Sequence, residues 1–259
     1  MLLLLMLILF ALPGSWWIGL VFLVVMQGTL EWGRLSRLSG KSAYIYSGLT
    51  LVIMAYLIWF DAYHTEAEQV APHLLIYAVS ALLWLIIVPS WLIAGWKVNN
   101  PLLMCITGWA VLIPTGLAML DLYAISPWVL LLLMCLVWVA DIGAYFTGRR
   151  FGKNKLAPEI SPGKTWEGVA GALLGVSIYV LAVWYTTSFA LLPAMLLAAW
   201  WWVGLAVIGD LFESAIKRQA GVKDSGALLP GHGGLLDRID ALTSTLPLAA
   251  MVILFGQIS

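Results

Sequence analysis

Two short polar stretches interrupt an otherwise apolar chain and hold most of the side chains able to do chemistry. One, Asp141 to Glu167, reads DIGAYFTGRRFGKNKLAPEISPGKTWE; the other, Asp210 to Asp240, reads DLFESAIKRQAGVKDSGALLPGHGGLLDRID. In the second, Asp210, Glu213, Ser214 and Lys217 fall at i, i+3, i+4 and i+7, offsets that share one helical face. After Gly221 the pattern breaks into a loop with Lys223, Asp224 and the run Pro230-Gly231-His232-Gly233-Gly234. Glycines at this density let backbone N–H groups approach an anion such as phosphate. Asp237 then stands directly ahead of the next apolar run, followed by Arg238 and Asp240. Asp210 and Asp237 both abut apolar runs at one membrane depth, where an acid is costly without a compensating cation. Hard divalent ions such as Mg²⁺ are held through one or two carboxylates plus substrate phosphates, so this pair is expected to bind metal.

The first stretch repeats the design. Asp141 ends an apolar run, Tyr145 and Arg149 follow near the same face, and Arg149, Arg150, Lys153, Lys155 and Lys164 concentrate positive charge. An electropositive pocket beside an acid-held metal suits a triphosphate. Gly163-Lys164-Thr165 is not a Walker A loop, because Pro158 stands where that motif needs glycine. His232 is either a hydrogen-bonded loop residue or a contact to phosphate or metal, whereas His64 and His73 lie on the other face. No HExxH, Ser-His-Asp or cysteine zinc spacing is present.

The elements that must position these residues are membrane helices. Of the 259 residues, 63% are hydrophobic and 10% charged, which excludes a water-soluble domain, a disordered chain and a nucleic-acid-binding tail. About 20 apolar residues cross a bilayer as a helix. Windows of that kind lie at 15–30, 43–60, 74–94, 102–120, 124–140, 168–187, 189–208 and 241–258, and the shorter run 2–12 makes about nine, the first one short. That run is either a shortened helix or part of a longer one that starts upstream. An all-α polytopic bundle is expected, with N-terminal helices over 1–95 and the catalytic motifs within 96–259. All 13 Lys and Arg residues fall on one set of alternate loops; the other set carries Asp61, Glu66, Glu68 and Asp121 without a cation. Cationic loops resist translocation, so the basic face, with both polar stretches, is expected to be cytoplasmic and the C-terminus outside. Trp16, Trp17, Trp32, Trp59, Trp96 and Trp128 near span ends fit interfacial anchoring, and Trp200-Trp201-Trp202 fits core packing or lipid contact. Cys105 and Cys135 lie in apolar runs and are expected to behave as small hydrophobes.

The stretch Ser214-Ala-Ile-Lys217-Arg218, then Lys223-Asp224-Ser-Gly226-Ala-Leu-Leu-Pro230-Gly-His232-Gly233-Gly234-Leu-Leu-Asp237-Arg238-Ile-Asp240, resembles the signature of the phosphatidate cytidylyltransferases, or CDP-diacylglycerol synthases. The upstream pattern Ala140-Asp141, Ala144-Tyr145, Gly148-Arg149, Phe151-Gly152-Lys153, Lys155-Leu156, Ser161-Pro162, Lys164-Thr165 and Glu167-Gly168 is similar to that family as well, as is Glu31-Trp32. Ala241 departs from it, standing where Ser is more usual. The resemblance implies a helical membrane enzyme of bacterial phospholipid synthesis, in the inner membrane and a homodimer. Its reaction converts CTP and phosphatidic acid to CDP-diacylglycerol and pyrophosphate with Mg²⁺, the number of cations being open. It also implies that Asp210 and Asp237 are the metal ligands. On this reading Lys217, Arg218, Lys223 and Arg238 hold the pyrophosphate and lipid phosphate, and Ser214, Asp141 and Lys164 complete the polar wall. His232, Gly233 and Gly234 are further candidates for phosphate binding. The partners are thus CTP, phosphatidic acid and membrane lipids, with no nucleic acid. Two rivals stand beside this reading: a CTP-dependent lipid-alcohol kinase, which would release CDP, and a cation transporter or pore. A pore would need polar groups through the bilayer depth, and here they gather at one face.

Overall fold

In lipid a spanning segment must satisfy every backbone N–H and C=O internally, and a run of about 20 apolar residues does so as an α-helix. The computed structural model describes residues 2–63, 66–187, 191–228 and 233–258, so His232 lies outside the described residues. Its helices are α1 (Leu2–Phe10), α2 (Gly14–Leu35), α3 (Gly40–Tyr63), α4 (Glu66–Leu82), α5 (Val88–Ala94), α6 (Pro101–Ile125), α7 (Pro127–Phe151), α8 (Trp166–Thr187), α9 (Leu192–Ala220) and α10 (Leu236–Ile258). A π turn, Leu83–Ile87, joins α4 to α5, so the two make one span over Pro72–Ala94. Eight helical segments among the described residues are long and apolar enough to cross a membrane. The nine residues of α1 rise about 14 Å, half of a hydrocarbon core. The all-α polytopic bundle expected from the sequence is the architecture found.

The polar stretches differ from the expected loops in one respect: much of them is helix. α7 continues past its apolar window to Phe151 and α9 to Ala220, while α10 begins at Leu236, ahead of Ala241. Side-chain pairs one turn apart support these extensions, Arg149 donating to the Tyr145 hydroxyl (2.8 Å) and Lys217 to Glu213 (2.6 Å). α9 ends at Gly221, whose left-handed backbone (φ 78°) lets Val222 N–H reach the Lys217 carbonyl. Between α7 and α8 the chain forms a hairpin that apolar windows do not register, β1 (Lys155–Ala157) with β2 (Ser161–Thr165). The strands are antiparallel, pairing Lys155 with Thr165 and Ala157 with Ser161.

α6 is the central post of the bundle and packs against α2, α3, α4, α7 and α10. Its Val111, Leu112, Leu117 and Leu122 are buried. Its carbonyls also serve buried polar tips from neighbouring helices: Trp17 donates to Met119 (3.0 Å), Trp32 to Met104 (2.7 Å) and Tyr46 to Cys105 (2.9 Å). Trp17 and Trp32 are therefore core residues rather than interfacial anchors. Trp16, Trp59, Trp96 and Trp128 are exposed at helix ends, as anchoring requires, and Trp200 and Trp201 are exposed on α9. Both cysteines are free thiols. A second, smaller core joins α7, α8 and α9 through Ala140, Ala172, Val176, Val180, Ala199 and Val203. It holds α8 against α7 and α9, the helices that carry Asp141 and Asp210.

Candidate active site

Three helices converge with the hairpin at one face, and their close approach depends on a missing side chain. A Cβ on Gly209 of α9 would lie 2.6 Å from Ser244 Oγ and 2.7 Å from the Asp240 carbonyl of α10. Only glycine permits that contact, and the next residue, Asp210, is thereby brought beside Asp240. Asp210 interacts electrostatically with both Asp240 and Asp141 of α7. Lys164, at the end of the hairpin, reaches in to pair with Asp210 Oδ2 at 2.5 Å. Ser214 donates a long hydrogen bond (3.3 Å) to Asp210 Oδ1.

A cleft of about 550 Å³ opens beside these groups, between α7, α8, α9 and β2. Asp141, Lys164 and Asp210 line its polar end, with Tyr145 and Arg149. Val207 and Val203, one and two turns before Asp210 along α9, line an apolar end together with Val169 and Ala172. The chamber can thus hold a charged head at one end and hydrocarbon at the other.

Beside the cleft is a second knot. Lys217 Nζ bridges Glu213 Oε2 (2.6 Å) and Asp237 Oδ1 (2.5 Å), all three side chains being largely buried. Asp237 Oδ2 accepts from Gly234 N–H (2.7 Å), Ser225 N–H (3.0 Å) and the Ser225 hydroxyl (3.1 Å). Glu213 interacts electrostatically with Asp237 and Asp240, which links the two acidic groups. Its Oε1 is buried with no hydrogen-bond partner among the described residues.

The sequence-predicted residues divide accordingly. Asp141, Lys164 and Asp210 line the cleft; Ser214, Lys217 and Asp237 stand next to it. Arg218 turns to the hairpin, donating to the Ile160 carbonyl (3.3 Å) and to Val222 (3.2 Å). Lys223 and Arg238 are exposed. The Gly234 N–H serves Asp237, and Gly233 takes a left-handed backbone (φ 82°) beside it. Asp240 and Glu213 belong to the same acidic group, although their sequence positions alone gave them no role. Asp240 could have been found from its spacing of three from Asp237, and Glu213 from its place on the Asp210 stripe.

Carboxylate oxygens are the donors that a hard divalent cation takes. Five carboxyl groups, Asp141, Asp210, Glu213, Asp237 and Asp240, gather around two cations, Lys164 and Lys217, and one buried carboxyl oxygen, Glu213 Oε1, lacks a hydrogen-bond partner among the described residues. Among the described residues no three Asp, Glu, His or Cys side chains are grouped so that they could hold a metal ion by themselves. Hard ions that take part of their coordination from substrate phosphates need no such group.

Residues 1–255 match the cytidylyltransferase family. The chain is 37% identical over 261 residues to the phosphatidate cytidylyltransferase of Pseudomonas aeruginosa, covering 94% of this chain and 90% of that protein. It is 35% identical over 244 residues to the phosphatidate cytidylyltransferase of Haemophilus influenzae, covering 86% and 85%. The Thermotoga maritima protein of that name is 44% identical over 132 residues, 47% of each chain. With a match that runs almost from end to end, this chain belongs to the cytidylyltransferase family.

Proposed function

We propose that the protein transfers the cytidylyl group of CTP to phosphatidic acid, forming CDP-diacylglycerol and pyrophosphate. The observation that carries this reading is the cleft whose acidic and basic end meets an apolar end within two turns of Asp210. A phospholipid acceptor needs both surfaces, and a channel would need polar groups along its whole length. A phosphate oxygen of phosphatidic acid attacks the α-phosphorus of CTP, the bond from that phosphorus to the β-phosphate bridging oxygen breaks, and pyrophosphate leaves with the bonding electrons. The nucleophile is already an anion, so no strong base is required, and positioning with charge neutralisation supplies most of the acceleration.

Asp210 and Asp237 would hold Mg²⁺, with Asp240 and Asp141 adding negative charge around them. When bound, the ion would neutralise charge on the nucleotide phosphates and polarise them. Lys164, drawn inward by Asp210, is placed to bind phosphate oxygens at the polar end, and Arg149 stands on the same wall. Lys217 holds Glu213 and Asp237 in register. Lys223 and Arg238, both exposed, would receive phosphate groups on the solvent side; Arg218 is engaged with the hairpin and the Gly234 N–H with Asp237, so neither takes the phosphate role expected of it. Confinement of all 13 cations to one set of loops supports a cytoplasmic site, an outside C-terminus and placement in a bacterial inner membrane. The homodimer rests on the family resemblance, and cross-linking in native membranes checks it.

The test supplies purified protein with CTP labelled at the α-phosphate and with phosphatidic acid. Label is expected in a lipid-soluble product, with pyrophosphate in the water phase. Release of labelled CDP without liponucleotide would overturn this reading and favour the kinase rival.

A further inference from the structure

The buried carboxylate of Glu31 lies outside the machinery described so far. It sits on α2, in the N-terminal part of the chain, and is fully buried. Its Oε1 accepts from Gln27 Nε2 (2.7 Å) and Leu235 N–H (3.0 Å), and its Oε2 from Leu236 N–H (2.9 Å) and the Ser225 hydroxyl (2.9 Å). The ion pairs among the described residues do not include it. Its charge is met instead by N–H groups at the start of α10, which have no intrahelical acceptors and lie at the positive end of the helix dipole. The chain closes tightly around it: a Cβ on Gly226 would lie 2.8 Å from Glu31 Oε1, and one on Gly234 2.5 Å from Oε2.

The Ser225 hydroxyl also lies 3.1 Å from Asp237 Oδ2, so one proton is shared between Glu31 and Asp237. Ser225 N–H and Gly234 N–H complete the hold on Asp237. We propose that Glu31 is a positioning residue: it caps α10 from another helix and, through Ser225, fixes the rotamer of Asp237 and the direction in which α10 presents Asp240. The proposal rests on the functional reading above for its kinetic effect, though its structural effect is measurable without turnover.

The test compares Glu31→Gln, Glu31→Asp and Ser225→Ala with wild type in detergent. An amide brings two N–H donors into a pocket that already supplies four, so Glu31→Gln should break the cap while keeping the volume. Its kcat, per folded molecule, should fall about tenfold or more, because small displacements of reacting groups are that costly. KM for CTP should move by less than about threefold, the split expected when positioning rather than ground-state binding is lost. Glu31→Asp should recover part of the loss, and Ser225→Ala should reproduce part of it. Amide hydrogen exchange should accelerate in peptides covering 223–228 and 233–240 of Glu31→Gln while α6 keeps its protection. Wild-type kcat with unchanged exchange would overturn the proposal, as would loss of protection throughout the bundle or an effect on KM alone. A wild-type protein that makes no liponucleotide would sink the functional reading and leave the exchange result to decide the role of Glu31.

Discussion

At the scale of single residues, the chemistry rests on carboxylates crowded together by helix ends and held in check by two lysines. Lys217 is the more deeply committed, since Glu213 and Asp237 both depend on it. Lys217→Met leaves two buried acids without their cation, a loss that typically costs about 3–5 kcal/mol. A lower unfolding temperature in detergent is expected together with lost activity; a thermal unfolding curve matching wild type would show that the knot contributes nothing. Lys164 has one partner and stands at the polar end of the cleft, so Lys164→Ala should leave the unfolding temperature near wild type and raise KM for CTP; CTP titration checks it. Asp210, Asp237, Ser214, Lys217, Lys164 and Asp141 could be singled out in the sequence because acids and cations beside apolar runs are costly and conspicuous. Glu31 and Ser225 could not be assigned roles there, because their importance is a contact across about 200 positions of chain that no local spacing reveals.

At the scale of elements, the polar stretches begin and end as extensions of membrane helices, which fix side chains better than loops would. Hydropathy windows located every span but ended several too early, because the last turns of α7 and α9 are held by polar pairs rather than by apolar burial. The hairpin 155–165 was illegible for a related reason: Pro158 and the Ser161-Pro162-Gly163 run read as turn residues, and its pairing is short. It nevertheless delivers Lys164 to Asp210, and Arg218 secures it by the Ile160 carbonyl. The contact of α9 with α10 at Gly209 sets the spacing of Asp210 from Asp240. Gly209→Ala must push against Ser244 and the Asp240 backbone, so activity should fall about tenfold or more with insertion unchanged. A fully active Gly209→Ala enzyme would mean that the helix spacing is not critical.

At the scale of the whole molecule, the arrangement is sided. A central α6 anchors the bundle, α7, α8 and α9 form the cleft, and the acidic groups lie at the end of the molecule that carries the basic loops. The grouping of all Lys and Arg on one set of loops is a property of the sequence, because translocation sorts cations independently of how the helices pack. The packing itself is not legible there: equally apolar helix faces give no sign of which neighbour each will meet. In a variant without Cys105 and Cys135, Gly163→Cys should react with a membrane-impermeant maleimide only after intact cells are permeabilised, whereas Ser126→Cys should react without that step. The opposite pattern would place the site outside.

The most direct measurement is turnover by purified Asp210→Asn and Asp237→Asn proteins, each compared with wild type in the same detergent and normalised to folded protein. Each substitution keeps the side chain's size and removes its charge. The account predicts that liponucleotide formation falls by about a hundredfold or more in both, as for loss of a principal electrostatic group, with the fold intact. Near-wild-type activity in either would contradict it.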